Sequence, residues 1–134
     1  MTLIIKKINP KDIEFVNSLI CDAFNADPNL VTQKEFLTQP QIHCFTASTD
    51  GKIIGTATLH VVQKTNRKLG LIEDVVVAPN TQGKGVGKAL IEKLIAESKA
   101  LDCYKVILSS KEKNVPFYER YGFSVNEIQM VIKH

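Results

Sequence analysis

Apolar residues recur along this chain with two different periods, and the places where the period changes mark off the elements. Leu3 to Ile8 is a short β-branched run that predicts an opening strand. Asn9-Pro10-Lys11-Asp12 then sets up a helix, with Asn as N-cap, Pro at the first helical position and an acid at the third. Ile13, Val16, Leu19, Ile20, Ala23 and Phe24 follow at helical spacing. Asn25-Ala-Asp-Pro28-Asn ends that helix, and a weaker helical stretch from Thr32 to Leu37 stops before Pro40.

The period then drops to that of strands. His43 to Ser48 and Lys52 to Val62 are joined by Thr49-Asp50-Gly51, a hairpin signal because glycine accepts the positive φ such turns require. Thr65-Asn66-Arg67-Lys68 is a polar loop tip, and Leu71 to Val77 is a strongly β-prone run closed by Ala78-Pro79-Asn80. Helical spacing returns with Val86, Ala89, Leu90, Ile91, Leu94 and Ile95, while Lys88, Glu92, Lys93 and Glu97 lie opposite. Tyr104 to Leu108 predicts another strand, Asn114 to Tyr121 a short helix stopped by Gly122, and Phe123 to Lys133 a closing strand or hairpin. A strand-helix-strand unit over residues 71 to 108 requires a parallel pair beside antiparallel hairpins, which is a mixed α/β (α+β) sheet.

At 134 residues the chain is expected to be one domain, residues 1–134. An apolar share of 44% beside 23% charged residues is globular rather than disordered or fibrous. The net charge of +3 is small, and Lys and Arg are scattered, which argues against nucleic acid and mildly favours a small anionic ligand. Cys21, Cys44 and Cys103 have no paired spacing and form no ligand motif with His43, His60 and His134, so free thiols and no metal are expected. No apolar run approaches the ~18 residues that would span a bilayer, and residues 1–7 lack the apolar core of a secretion signal. The expectation is a cytoplasmic protein without a membrane partner.

The chemistry concentrates in Val75-Val-Val-Ala-Pro-Asn-Thr-Gln-Gly-Lys-Gly-Val-Gly-Lys88. A strand feeds a glycine-rich loop that opens directly into an amphipathic helix. Gly83, Gly85 and Gly87 let backbone come close to a ligand, the first helical amides lack partners, and Lys84 and Lys88 add charge, which together make a phosphate cradle. A phosphate-binding P-loop would need Gly at Gln82 and Ser or Thr at Ala89. The dinucleotide pattern Gly-x-Gly-x-x-Gly ends on Lys88 or Leu90 in its two registers, so it fails as well.

Gln82-Gly-Lys-Gly85-Val-Gly87 resembles the Gln/Arg-x-x-Gly-x-Gly/Ala loop of the Gcn5-related N-acetyltransferase (GNAT) superfamily, which grips the coenzyme A pyrophosphate. Asn114-Val-Pro-Phe-Tyr118-Glu-Arg-Tyr-Gly122-Phe123 resembles its second signature, Asn-x-x-Phe-Tyr-x-x-x-Gly-Phe. The resemblance implies a mixed sheet of about six to seven strands flanked by about four helices, with acetyl-CoA as cosubstrate. It also implies that Asn114 lies near the pantetheine arm, that the backbone of Val75, Val76 and Val77 holds that arm, and that Gln82 through Lys88, Val86 included, binds the pyrophosphate. Tyr118 would protonate the departing thiolate, a role within the chemistry of a phenol. As residues alone, Phe117, Tyr118 and Tyr121 also fit the buried face of a short helix, and the glycine loop also fits an ordinary strand-to-helix turn.

Leu71-Ile-Glu-Asp-Val-Val-Val77, Cys103-Tyr-Lys-Val-Ile-Leu108 and Glu112-Lys-Asn-Val-Pro-Phe-Tyr118 are similar to the eukaryotic glucosamine 6-phosphate N-acetyltransferases, over about residue 71 to the end. Two carboxylates in an apolar strand are costly unless something satisfies them. The resemblance makes Glu73 and Asp74 contacts to the sugar that orient its amine, whereas exposure at a strand edge would also explain them. Strand alternation would let at most one of the two face the cofactor cleft. A homodimer with the C-terminal strand near the interface is implied too.

Three departures bear on the acceptor. Ser109 stands where those enzymes carry an acid, and a serine is no base at neutral pH, so Glu73, Asp74, a water or a backbone carbonyl would have to serve. Lys133 replaces an Arg that reaches the sugar phosphate, keeping the charge without the fork. The loop before Leu71 is also about two residues shorter than in those enzymes. Rival readings are a GNAT enzyme for another amine or a protein N-terminus, a non-catalytic coenzyme A-binding module, and a nucleotide-binding protein. Cys103 as an acetyl-carrying nucleophile lacks a His-and-acid arrangement and reads better as a core residue.

Overall fold

The structure is a computed structural model that describes residues 2–27 and 34–134. Five strands form one sheet in the order β1 (Ile4–Lys7), β2 (Ile42–Thr49), β3 (Lys52–Gln63), β4 (Lys68–Val77) and β5 (Cys103–Ile107). Successive pairs are antiparallel except β4 with β5, which run parallel. The crossover between them is α2 (Val86–Ala100), and α1 (Ile13–Phe24) and α3 (Val115–Glu119) complete the α-helices. At the start of α1, Asn9 Oδ1 accepts from the Lys11 amide at 3.1 Å, and Pro10–Asp12 form a 3₁₀ turn ahead of the helix. The β2–β3 hairpin closes on Asp50 (φ 51°) and Gly51 (φ 76°), the paired left-handed residues that suit the right-handed twist of the strands.

The core lies between the sheet and α2. Phe45, Ala47, Ile54, Ala57, Leu59 and Ile72 pack against Val86, Leu90, Ile91 and Leu94. Cys44–Ser48 are all buried, so both faces of β2 are covered; Val16 and Cys21 of α1 are buried outside that cluster, and α1 packs over β3 and β4. Thr56 Oγ1 donates to the Phe45 carbonyl at 2.9 Å, which satisfies a hydroxyl in the middle of the sheet. Gly55 sets how closely α2 approaches: a Cβ there would meet Val86 Cγ1 at 2.9 Å, the Val76 carbonyl at 3.1 Å and Leu90 Cδ1 at 3.2 Å.

The architecture is the expected mixed α/β sheet, but among the described residues it has five strands and three α-helices in place of six to seven and four. The main cause is the C-terminal segment. Residues 123–134 form no strand, and Val125, Ile128, Met130 and Ile132 are 77–91% exposed. β-Branched residues favour a strand only where a partner strand supplies hydrogen bonds and packing, and here the tail pairs with neither edge of the sheet. The weak helix expected from Thr32 to Leu37 is a 3₁₀ turn, Lys34–Thr38, with residues 32 and 33 outside the described residues. The 114–121 helix is likewise shortened to a 3₁₀ turn, Glu112–Asn114, followed by α3.

Gly55→Ala should destabilise the domain by about 1–3 kcal/mol through overpacking against α2. Urea unfolding followed by circular dichroism reads this; an unchanged midpoint would mean that α2 can move away without loss.

Candidate active site

β4 changes character halfway along. Thr58 pairs with Glu73 and Thr56 with Val76, so the single residue Ala57 stands opposite two, Asp74 and Val75. This is a β-bulge, and Asp74 takes the left-handed conformation it requires, with φ 54°. The side-chain alternation expected of a regular strand breaks there, and Glu73 and Asp74 are both exposed. The expectation that at most one of them faces the cleft rested on regular alternation, which does not hold at this point. The bulge has a faint sequence signal, since Asp is among the few residues that tolerate positive φ.

Beyond the bulge β4 is hydrogen-bonded on one side only. Its pairing with β5 runs from Lys68 and Cys103 to Leu71 and Ile107, and β5 ends there. Val76 and Val77 remain paired to Thr56 and Gly55 of β3. The side chain of Val76 is buried and those of Val75 and Val77 pack partly against the core, so these residues can meet a ligand only through their backbone edge. Such an edge accepts an extended chain as if it were a further strand.

That edge leads into the glycine loop. Pro79–Thr81 make a 3₁₀ turn, and Gln82 Nε2 reaches back to the Val77 carbonyl at 3.5 Å. Gly83 and Gly85 have φ of 82° and 80°, with nothing within 4 Å of where a Cβ would stand, so the space beside the loop is open. Gly85 is the N-cap of α2 and has no side chain to cap it. The first amides of this 15-residue helix therefore face solvent at the positive end of its dipole. Gln82, Lys84 and Lys88 are exposed around it, whereas the side chain of Val86 is buried and only its amide is available. Gly87 serves packing instead, since a Cβ on it would lie 3.5 Å from Phe117 Cζ and 3.7 Å from Val77 Cγ2.

Through that contact the second motif meets the first. Phe117 on α3 packs at the start of α2, and the Tyr118 ring stacks edge-on against it with centroids 5.0 Å apart, and against Phe123 at 6.0 Å. Burial pushes the half-buried Tyr118 phenol above its ordinary value, which extends its protonated range further into alkaline pH. Asn114 is exposed at the N-cap of α3. Ser109 is exposed in the loop that leaves β5, and the neighbouring Ser110 hydroxyl donates to the Lys111 carbonyl at 2.8 Å. Lys133 lies on the exposed tail.

The thiols do not form a nucleophilic site. Cys103 begins β5 opposite Lys68, at the far end of β4 from the bulge, and burial raises its pKa. Cys44 is buried, with Sγ 3.6 Å from the Thr56 hydroxyl, and its pKa is raised as well. Neither has the lowered pKa that marks a nucleophilic cysteine.

A bulged, half-unpaired strand running into an uncapped helix start, with a protonated phenol beside it, is the layout of an acyl-CoA-binding transferase fold. The sequence profile of the Acetyltransferase (GNAT) family matches residues 13–123, and the chain belongs to that family. Over 83 residues it is 51% identical to a Trypanosoma brucei brucei protein named glucosamine 6-phosphate N-acetyltransferase, a match covering 60% of this chain and 56% of that one. The chain thus spans little more than half the length of that relative. A crystal structure of a Trypanosoma brucei acetyltransferase superposes with a TM-score of 0.87 at 34% identity, covering 99% of this chain and 100% of that one. That of glucosamine-6-phosphate N-acetyltransferase from Arabidopsis thaliana gives 0.84 at 30% identity, covering 99% of each chain.

Asp74→Ala should cost about 1 kcal/mol of stability, because alanine bears the full strain of positive φ. Asp74→Gly should cost less than half of that. Equal melting temperatures for the two variants would show that the strand regularises when the aspartate is removed.

Proposed function

We propose that this chain is an acetyl-CoA-dependent N-acetyltransferase that acetylates the amine of glucosamine 6-phosphate by direct transfer, without an acetyl-enzyme. The observation that carries the proposal is the free edge of β4 continuing into the uncapped, glycine-lined start of α2, with α3 packed against it. Acetyl-CoA supplies an activated acyl group as a thioester.

The backbone of Val75–Val77 holds the pantetheine arm as an added strand. Gln82 through Lys88 hold the pyrophosphate through backbone amides, helix dipole and lysine charge, and Asn114 stands beside the arm. Amides exposed at the bulge accept charge that builds on the carbonyl oxygen during transfer. Tyr118, a phenol protonated at neutral pH, gives its proton to the departing sulfur. Glu73 and Asp74, both exposed at the mouth, position the acceptor amine. With a serine at position 109, these two carboxylates or a water they hold receive the amine proton.

The proposal includes a homodimer and a cytoplasmic setting. Sheet order leaves β5 at an edge, and the apolar tail of residues 125–132 has nothing to pack on within its own chain. A second copy would cover both and bring Lys133 toward a sugar phosphate. The acceptor is a water-soluble sugar phosphate, and no described helix is long and apolar enough to cross a membrane.

Purified protein mixed with acetyl-CoA and glucosamine 6-phosphate should release thiol, and plain glucosamine should serve far less well. Tyr118→Phe should lower kcat by about 10²–10⁴-fold, the range of a lost general acid. Because burial raises the Tyr118 pKa, the wild-type rate should hold through neutral pH and fall only above the ordinary tyrosine value of about 10; that alkaline limb should vanish in the variant. Absence of sugar-dependent release would remove the amino-sugar assignment, and release from another amine would replace it.

Light scattering should give a dimer mass for the wild type and a monomer mass for Ile128→Asp/Met130→Asp. A monomeric wild type would remove the dimer from the proposal.

A further inference from the structure

At the tip of the β3–β4 hairpin, Lys64 and Arg67 join Lys105 of β5 around the exposed ring of Tyr104. Arg67 Cζ stands 4.8 Å from the ring centroid, Lys105 Nζ 5.4 Å and Lys64 Nζ 5.8 Å. Energetically significant contacts between a cation and a ring occur about once per 70–80 residues, so three on one ring set this place apart. Arg67 and Lys105 also lie within hydrogen-bonding reach of the phenol oxygen, and they hold its pKa below the ordinary tyrosine value, with the Arg67 hydrogen bond the largest cause. Among the described residues none of the three cations has a carboxylate within salt-bridge distance. Gathering like charges with no acid between them costs free energy unless an anion offsets it. The hairpin nevertheless holds them in place. The Lys64 amide donates to the Arg67 carbonyl at 2.8 Å, and Gln63 Nε2 donates to the Lys64 and Arg67 carbonyls at 2.7 and 3.3 Å. Arg67 Nη1 donates to Asn66 Oδ1 at 2.7 Å. Lys68 stays out of the cluster, because its Nζ turns to the Leu101 carbonyl at 3.5 Å.

We propose that Lys64, Arg67, Tyr104 and Lys105 form an anion site outside the cleft, and that it takes a phosphate group, either free or as the monoester of a small sugar. The phenol oxygen marks where the anion sits, since it is the oxygen that Arg67 and Lys105 reach when no carboxylate is near. A phosphate oxygen in its stead carries full charge and accepts from the guanidinium fork and the ammonium groups together. The Tyr104 O–H then turns from acceptor to donor and adds a fourth contact. Four converging donor groups suit the three terminal oxygens of a phosphate better than the two of a carboxylate. Nucleic acid fits poorly, because a strand of phosphates needs a cationic track, and the other Lys and Arg residues are scattered. The site is also separate from the one described above. At about 3.3 Å per residue, Asp74 lies about 20 Å further along β4 from Lys68. The inference therefore stands independently of which amine the cleft accepts.

Amide NMR spectra of the full chain, recorded at constant ionic strength, test this with three probes: inorganic phosphate, glucose 6-phosphate and glucose. Glucose 6-phosphate carries no amine to be acetylated, and any shifts it causes at Glu73 and Asp74 are read apart from those at the hairpin. The signals of residues 64–68, 104 and 105 should move saturably with both phosphates, with Kd on the order of millimolar, and stay still with glucose. Equal affinity for the two phosphates would support the site as one for free phosphate, and tighter binding of the ester would support it as one for a sugar phosphate. Arg67→Ala should weaken binding about tenfold, the loss of one charge-assisted contact, and Arg67→Lys should keep part of it. Tyr104→Phe, which keeps the ring and removes the O–H, should weaken it about threefold. Lys52→Ala, a lysine on the β2–β3 hairpin, should leave it unchanged. The proposal is overturned by an absence of saturable shifts at these signals, by an equal response to glucose, or by affinity that Arg67→Ala leaves intact.

Discussion

Hydrogen bonding along β4 is divided between two obligations, and the rest of the site follows from that division. On one side the strand pairs with β3 over most of its length, which ties it to the core. On the other it pairs with β5 only as far as Leu71, and then the two parallel strands part. Backbone groups left without partners are tolerated where water or a ligand can reach them, and are costly anywhere else. The bulge at Asp74 turns the strand at the point where the second obligation begins, so backbone polarity is presented to the cleft while the valine side chains stay inward. Replacing the bulge with regular pairing would swing every following side chain to the opposite face.

The same strand also determines where α2 begins. Val86 and Leu90 close over Gly55, which lets the helix come nearer to the sheet than any residue with a side chain would allow. The uncapped amide end is thereby fixed against a strand whose position is set by the sheet, and Gly83 and Gly85 keep the space above it clear. A helix start built this way has little freedom to shift relative to the sheet. α3 is too short, at five residues, to be stable by itself. It is held by aromatic packing of Phe117, Tyr118, Tyr121 and Phe123, and that packing is also what half-buries Tyr118, the burial that raises the pKa of its phenol.

Where local chemistry dominates, the sequence was a good guide. The cap at Asn9, the Asp50-Gly51 turn, the apolar face of α2 and the glycine loop all rest on interactions within a few residues, and each stands where the pattern places it. Glu73 and Asp74 were conspicuous as charges in an apolar strand, but the break in alternation that exposes both left only a faint signal in the aspartate itself, because a bulge depends on what the neighbouring strand does. The expected closing strand shows the converse. Its residues have strand character, yet a strand needs a neighbour, and residues 123–134 pair with neither edge of the sheet.

By itself the sequence determined the element order as far as α3, the glycine-rich loop before α2, the Asn-x-x-Phe-Tyr motif and hence the family, because those depend on residue type at short spacing. Only the tertiary structure decided that the two motifs meet through Phe117 and Gly87, that β5 leaves β4 before the bulge, and that Lys64 and Arg67 gather at Tyr104. Each of these is a juxtaposition of residues far apart along the chain. The packing of α2 on the sheet brings them together, and no local periodicity encodes it.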